Sequence, residues 1–238
     1  MPLTQMLKKR EVDLALLLVA AFWGGSYLAA KELTEHTSVV ALLAIRFSIT
    51  SIAMFAIWTI KRTAITRSEA LLGLGLGSVQ ALILFFETSG VARTSATNAG
   101  LIISLCIVLT PILESVASKN WLPRSFFITA VTAVVGVALL VSDKGFAAPS
   151  VGDWLMLAAA VVRAIHVTSM GHLTKGKSYS SVSITLLQSL ACAFIFLIFS
   201  GNQTIDAIKT FESAQWGRNA LFESYCRSTL IHLDSLGD

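Results

Sequence analysis

Long apolar runs separated by short polar stretches set the pattern of this chain from end to end. Residues 14–30 carry no charge, and residues 38–60 carry one, Arg46. Further runs follow at 70–92, 96–116, 125–141, 154–174 and 179–199. At 1.5 Å rise per residue, about 20 residues cross a hydrocarbon core of about 30 Å, so each run is long enough to span all or most of a bilayer as a helix. The pattern therefore predicts an all-α, polytopic membrane helix bundle with seven transmembrane helices. Gly73 and Gly77 form a GxxxG pair that lets another backbone come close, and Ala20 with Gly24 and Ala21 with Gly25 offer the same device in the first span. Pro111 predicts a kink late in the fourth.

Composition agrees with the pattern. The 238 residues are 55% hydrophobic and 13% charged, with a mean hydropathy of +0.73, which excludes an ordinary soluble domain. The net charge of +4 is consequently not a nucleic-acid footprint, and no nucleic-acid partner is expected. What matters is where the cations sit. Lys8, Lys9 and Arg10 precede the first span, Lys61, Arg62 and Arg67 follow the second, Lys119 and Arg124 follow the fourth, and Lys175 and Lys177 follow the sixth. The alternate loops hold Lys31, Arg93 and Lys144, among acidic Glu32, Glu35, Asp143 and Asp153. This bias predicts a multi-pass protein of the cell membrane with its amino terminus cytoplasmic, and a bacterial inner membrane is the expected location. The first apolar run is too long for a signal peptide h-region, so it is read as an uncleaved helix. Cys106, Cys192 and Cys226 have no metal or redox spacing, and no HExxH, GxSxG or paired-Asp motif lies in the spans. No cofactor, no metal and no catalytic residue is expected, and the chain is not read as an enzyme.

The stretch 142–150 is rich in turn formers and reads as a linker. On either side of it the sequence repeats weakly. Asp13-Leu-Ala-Leu-Leu matches Asp153-Trp-Leu-Met-Leu, and at the same offset Leu33-Thr34 meets Leu173-Thr174. Both parts then enter their next span through hydroxyl residues, Thr37-Ser38 and Ser180-Ser181. Five spans precede the linker, so the second unit would enter from the opposite face. That is an inverted-topology repeat, the signature of many secondary transporters. The expected organisation is a first repeat over 1–141, the linker 142–150, the start of a second repeat over 151–200, and a polar tail over 201–238.

The residues Phe22-Trp23-Gly24-Gly25-Ser26-Tyr27 with Lys31, and Arg46-Phe47 in the second span, carry a resemblance. So do Thr94-Ser95-Ala96-Thr97-Asn98-Ala99 leading to Thr110-Pro111, Gly136-Val137-Ala138-Leu139-Leu140, and Gly152-Asp153. Their order and spacing over roughly residues 11–200 resemble an EamA-type permease of the drug/metabolite transporter superfamily. The resemblance implies ten helices in two five-helix halves and a transport function. The chain departs from the family pattern in having Lys119-Asn120 near the place of a Gly-Glu, and Arg163 where a Trp is common. It also holds seven apolar runs of the ten, and charges interrupt 201–238, so a truncated or frame-shifted carboxyl terminus is expected.

Transporters of this architecture bind substrate near mid-membrane where the repeats meet, so polar residues at depth are the candidates. They are Trp23, Tyr27, Arg46, Gln80, Glu87, Asn98, Arg163, His166 and Gln188. A guanidinium at mid-bilayer costs about 2.5 to 3.5 kcal/mol on the mildest scale, so Arg46 needs a partner, and Glu87 at a similar depth is one. Gln80 and Glu87 share a face. Ser181, Thr185, Gln188 and Cys192 form a polar stripe on the seventh span that should face protein or water. Arg163 invites an anionic group such as a carboxylate. The alternatives stay open: Arg163 answers Glu87 in a structural ion pair, Trp23 is an interfacial aromatic, and single hydroxyls are interhelical hydrogen bonds. Glu87 and Glu114 are the proton-coupling candidates, with Glu114 equally readable as a headgroup-level residue.

These features predict a secondary carrier of a small polar metabolite, an amino acid or related compound among them, working by alternating access of the inverted repeats. Its partners would be a small-molecule substrate and the lipid bilayer, with a homodimer as the arrangement in which two copies complement each other. The competing readings are a truncated, inactive carrier fragment and, more remotely, a seven-span receptor. The last span has no lysine to form a retinal Schiff base.

Overall fold

All regular structure is helical in the computed structural model, which describes residues 25–141 and 149–210. Helix α1 is described over 25–36, followed by α2 (Val39–Lys61), α3 (Arg67–Arg93), α4 (Ala96–Ser104) and α5 (Cys106–Ser118). Then come α6 (Arg124–Val141), α7 (Val151–Thr174), α8 (Ser181–Ser200) and α9 (Gln203–Thr210). Five stretches are long and apolar enough to cross a membrane: α2, α3, the α4–α5 stretch Ala96–Ser118, α7 and α8. The apolar part of α6, Arg124–Leu140, is shorter, and most of the first expected span lies outside the described residues.

Polar caps explain where the helices begin. Thr66 and Glu69 form a reciprocal capping box at the start of α3, and Ser150 with Asp153 does the same for α7. Satisfying the orphan N–H groups in this way extends both helices three residues ahead of the apolar runs that begin at 70 and 154. Ser38 caps α2 and Ser180 caps α8, each through its hydroxyl. Each belongs to one of the hydroxyl pairs, Thr37-Ser38 and Ser180-Ser181, through which the chain enters these spans.

The fourth span is interrupted at a place to which the sequence did not point. Pro111 lies inside α5, while the helix is interrupted at Leu105. There Ser104 Oγ donates to Leu101 O at 2.6 Å, and the Leu105 N–H turns to Ile102 O at 3.1 Å. The hydroxyl has taken the carbonyl that the helical bond would use, a known competition between serine and helix backbone.

Helix α3 is the centre of the packing. One side carries α7 and another α8, while α2 packs on α8 and both α4 and α5 pack on α7. Cβ atoms added at Gly73 and Gly77 would stand 2.6 Å from Leu187 Cβ and 2.7 Å from Ala191 Cβ, so this GxxxG is the α3–α8 seam. Gly90 meets Met156 and the Gly152 carbonyl, and Gly152 meets the Arg93 backbone, which makes a second seam with α7. In the first span an added Cβ at Gly25 would touch nothing within 4 Å among the described residues. Its partners Ala20, Ala21 and Gly24 lie outside the described residues.

The two ends of the bundle differ. At one end Thr63 Oγ1 meets Ser183 Oγ at 3.2 Å and Ser68 Oγ meets Tyr179 Oη at 2.5 Å. This end gathers Lys61, Arg62, Arg67, Lys175 and Lys177 from the loops around it. At the other end Tyr27, Leu33, Ile45, Val91, Ile103 and Met156 close into one apolar cluster joining the early helices to α7. Ser38 Oγ donates to Gln203 Oε1 at 2.7 Å there, docking α9. Along α6, Ile128, Val131, Leu139 and Leu140 are exposed, as residues whose solvent is lipid.

Candidate functional site

Glu87 is the residue on which the buried polar groups converge. It sits six residues before the end of α3, about 9 Å along the axis, and is only 8% exposed. Tyr27 on α1 donates its hydroxyl to Glu87 Oε1 at 2.5 Å. Arg163 on α7 donates to Oε2 and forms the ion pair. Each partner arrives for a local reason. Lys31, one turn beyond Tyr27, donates to Ala92 O at 2.9 Å and holds α1 alongside α3. The Gly90 and Gly152 seam brings α7 almost to backbone contact, which puts the long Arg163 side chain within reach of Glu87.

Two opposite charges out of water require close pairing and further hydrogen bonds, and Glu87 has both. Arg163 is less completely satisfied. Its Nε is buried and has no hydrogen-bond partner. Cys106, the first residue of α5, packs against the apolar cluster that contains Tyr27, Val91 and Met156. Arg46, half-buried on α2 with its guanidinium carbon 5.8 Å from the Phe47 ring centroid, is within range of the Tyr27 hydroxyl.

A second polar level lies about 16 Å further along α3. His166 is buried and donates through Nε2 to Leu76 O at 3.2 Å, and Cys192 Sγ donates to Gly77 O at 3.3 Å. Gln188, across the same turn of α3, has a buried Nε2 without a partner. Gln80 is half-buried on α3 between the two levels. The structure thus gathers Tyr27, Glu87 and Arg163 into one cluster, while His166, one turn beyond Arg163 on α7, and Gln188 meet α3 at the second level.

The remaining candidates fall elsewhere. Asn98 sits in the first turn of α4, its backbone N–H bonded to the Ser95 cap at 3.0 Å, so it belongs to a helix end and not to mid-span. Glu114 is half-exposed at the basic end, 3.2 Å from His172 Nε2. Trp23 lies outside the described residues.

Sequence reasoning passed over two features. One is the interruption of the fourth span at Leu105, which leaves no compositional trace. The other is a second use of the capping carboxylates. Glu69 Oε2 takes its own cap while Oε1 accepts the Ser180 N–H at 2.8 Å, and Asp153 Oδ2 does the same while Oδ1 accepts from Thr94 Oγ1 at 2.6 Å. The T-x-x-E and S-x-x-D spacings were legible signals for both.

Comparison with known proteins agrees with this arrangement. Residues 11–142, more than half of the chain, match the family described as EamA-like transporters. An uncharacterized transporter of Archaeoglobus fulgidus is 27% identical over 207 residues, covering 83% of this chain and 63% of the relative. The chain therefore spans less than two thirds of that relative's length. A helical bundle of membrane-spanning length in which residues 11–142 match in this way is an integral membrane protein, and the chain belongs to the EamA-like transporter family of the drug/metabolite transporter superfamily.

Proposed function

We propose that the protein is a secondary carrier of small polar metabolites, amino acids or related compounds among them, working by alternating access of two inverted repeats. The observation that carries this reading is the Tyr27, Glu87 and Arg163 cluster: an ion pair and a phenol buried within the spans, with Tyr27 and Glu87 before the linker and Arg163 after it. Charges at that depth cost several kcal/mol, and in membrane proteins they mark substrate or proton pathways. The repeat is supported by α2 and α8. These are the helices that the alignment pairs, each begins at a serine cap, and they pack against each other in opposite directions, Ala44 beside Cys192 and Met54 beside Val182. The apolar cluster of Leu33, Val91 and Met156 supports a state closed at the end away from the basic loops. By the distribution of Lys and Arg, that end faces outward from a bacterial inner membrane, with the amino terminus in the cytoplasm.

Purified protein reconstituted in liposomes tests this directly. Counterflow of radiolabelled metabolites, measured with and without an imposed pH gradient, should show uptake above empty liposomes for at least one polar compound. Glu87→Gln should reduce it. Absence of counterflow across a broad panel of amino acids, amines, sugars and organic acids would overturn the reading.

A further inference from the structure

Four helices meet the bilayer surface at the basic end: α2 stops at Lys61 and α3 starts at Arg67, while α7 stops at Thr174 and α8 starts at Ser181. The loops 62–66 and 175–180 between them therefore lie at the ends of the spans, in the headgroup layer of about 5 to 7 Å that flanks the hydrocarbon core. Hydrogen bonds lock the two loops together. Thr63 Oγ1 meets Ser183 Oγ at 3.2 Å, Ser68 Oγ meets Tyr179 Oη at 2.5 Å, and Glu69 Oε1 accepts the Ser180 N–H at 2.8 Å. Three exposed cations sit on this corner: Arg62 next to Thr63, Arg67 next to Ser68, and Lys177, whose Nζ stands 5.4 Å from the Tyr179 ring centroid. The carboxylates of this end are already engaged, Glu69 by its cap and Ser180, Glu114 by His172. Among the described residues none of the three cations pairs with a carboxylate. Below Arg67 the same face of α3 continues into Leu71 and Leu74, at i+4 and i+7, which are 77% and 45% exposed. A corner of fixed shape thus presents positive charge at headgroup depth directly above an open apolar stripe.

We propose that this corner binds an anionic phospholipid of the phosphatidylglycerol kind, with its phosphodiester between Arg62 and Arg67 on one loop and Lys177 on the other, and an acyl chain along Leu71 and Leu74. The assignment goes beyond the carrier reading and does not depend on it. Charge complementarity selects the headgroup. A phosphatidylglycerol carries one unopposed negative charge, which basic pockets between helix ends attract, whereas phosphatidylcholine brings a cation of its own to a site already rich in them. Arginine suits the task because its planar fork matches two phosphate oxygens at once. The apolar stripe selects a lipid over a free anion, since burying chain methylenes against Leu71 and Leu74 adds an attraction that a soluble phosphate lacks. The hydrogen bonds between the loops hold the cations of both in one place, so little ordering remains to be done on binding.

The test is the thermal unfolding midpoint of the full-length chain in a non-ionic detergent, titrated with phosphatidylglycerol, with phosphatidylcholine and with the deacylated headgroup glycerophosphoglycerol. Phosphatidylglycerol should raise the midpoint at concentrations where the other two leave it unchanged. Arg67→Gln combined with Lys177→Gln should raise the half-saturating concentration about 25-fold, about fivefold for each charge removed. Lys119→Gln combined with Arg124→Gln takes the same charge from the junction of α5 and α6 at the same end, and should leave that concentration within about twofold. Native mass spectrometry of the same preparations keeps the test decisive if the first pair is itself less stable: that pair should retain one phosphatidylglycerol fewer than the unaltered chain, and the second pair the same number. Equal weakening by the two pairs would mean a diffuse field of the basic end. An equal response to phosphatidylcholine would mean a need for any lipid, and a response to glycerophosphoglycerol matching that to the intact lipid would mean a free-anion site. Each of these results, or no response to phosphatidylglycerol, would overturn the assignment.

Discussion

Consider replacing Gly77 by alanine and, as its control, Gly75 by alanine two residues away on the same helix. The new methyl at 77 would lie 2.7 Å from Ala191 Cβ, 2.8 Å from Gln188 Cα and 2.9 Å from Gln188 O. Carbon atoms rest at about 3.5 to 4.0 Å, so α8 would have to retreat by about 1 Å. Two of the three obstacles are backbone atoms, and no rotamer change moves them. The retreat would also stretch the Cys192 Sγ to Gly77 O bond from 3.3 Å to beyond bonding distance. Overpacking of this kind costs about 1 to 3 kcal/mol, a factor of roughly 5 to 150 in the unfolding equilibrium. At Gly75 an added Cβ meets nothing within 4 Å, so only the helix preference of alanine applies, a gain of up to about 1 kcal/mol. Unfolding of the two purified variants by sodium dodecyl sulfate, followed by circular dichroism, should move the midpoint down for Gly77→Ala and leave it level or raised for Gly75→Ala. Equal behaviour of the two would refute the packing argument, since they share helix, residue type and depth of sequence context.

Other expectations use the buried pair and the caps. Glu87→Gln should destabilise by about 3 to 5 kcal/mol in the same unfolding assay, because Arg163 is left buried without its counter-charge. The double variant Glu87→Met with Arg163→Met should recover most of that loss; a double variant as unstable as the single one would mean that the pair is not the cause. Tyr27→Phe should cost about 1.5 to 3 kcal/mol for the lost hydrogen bond to a carboxylate, and a neutral result would place the hydroxyl outside the network. Asp153→Asn and Glu69→Gln should each cost about 1 kcal/mol and increase amide hydrogen exchange at the first turns of α7 and α3 respectively, with the opposite ends of those helices unchanged.

Much of the fold could be read from the order of apolar runs, because in a bilayer a helix needs length and hydrophobicity before anything else. Helix ends were less legible. The capping boxes at Thr66 and Ser150 begin helices in polar sequence that a hydropathy reading assigns to loops. The GxxxG at Gly73 and Gly77 was legible and packs as expected. At the site, Glu87 and both arginines stood out because charge within a span is costly. Which of them meet depends on crossing points set by Gly90 and Gly152, and spacing along one helix does not contain that information. The interruption at Leu105 was missed for a related reason: Ser104 diverts one hydrogen bond, a local competition with no signature in hydropathy.

The central position of α3 bears on how the chain can be divided. By sequence the chain falls into two units at 142–150, yet the broadest contacts, α2 with α8 and α3 with both α7 and α8, all join a helix before that stretch to one after it. Neither unit can cover its glycine seams or neutralise its buried charge alone, since Glu87 belongs to one and Arg163 to the other. The stretch 142–150 is therefore not a boundary between units of stability. Two separately produced pieces should be insoluble apart and competent only when made together, behaving as one folding unit whose polypeptide happens to be continuous.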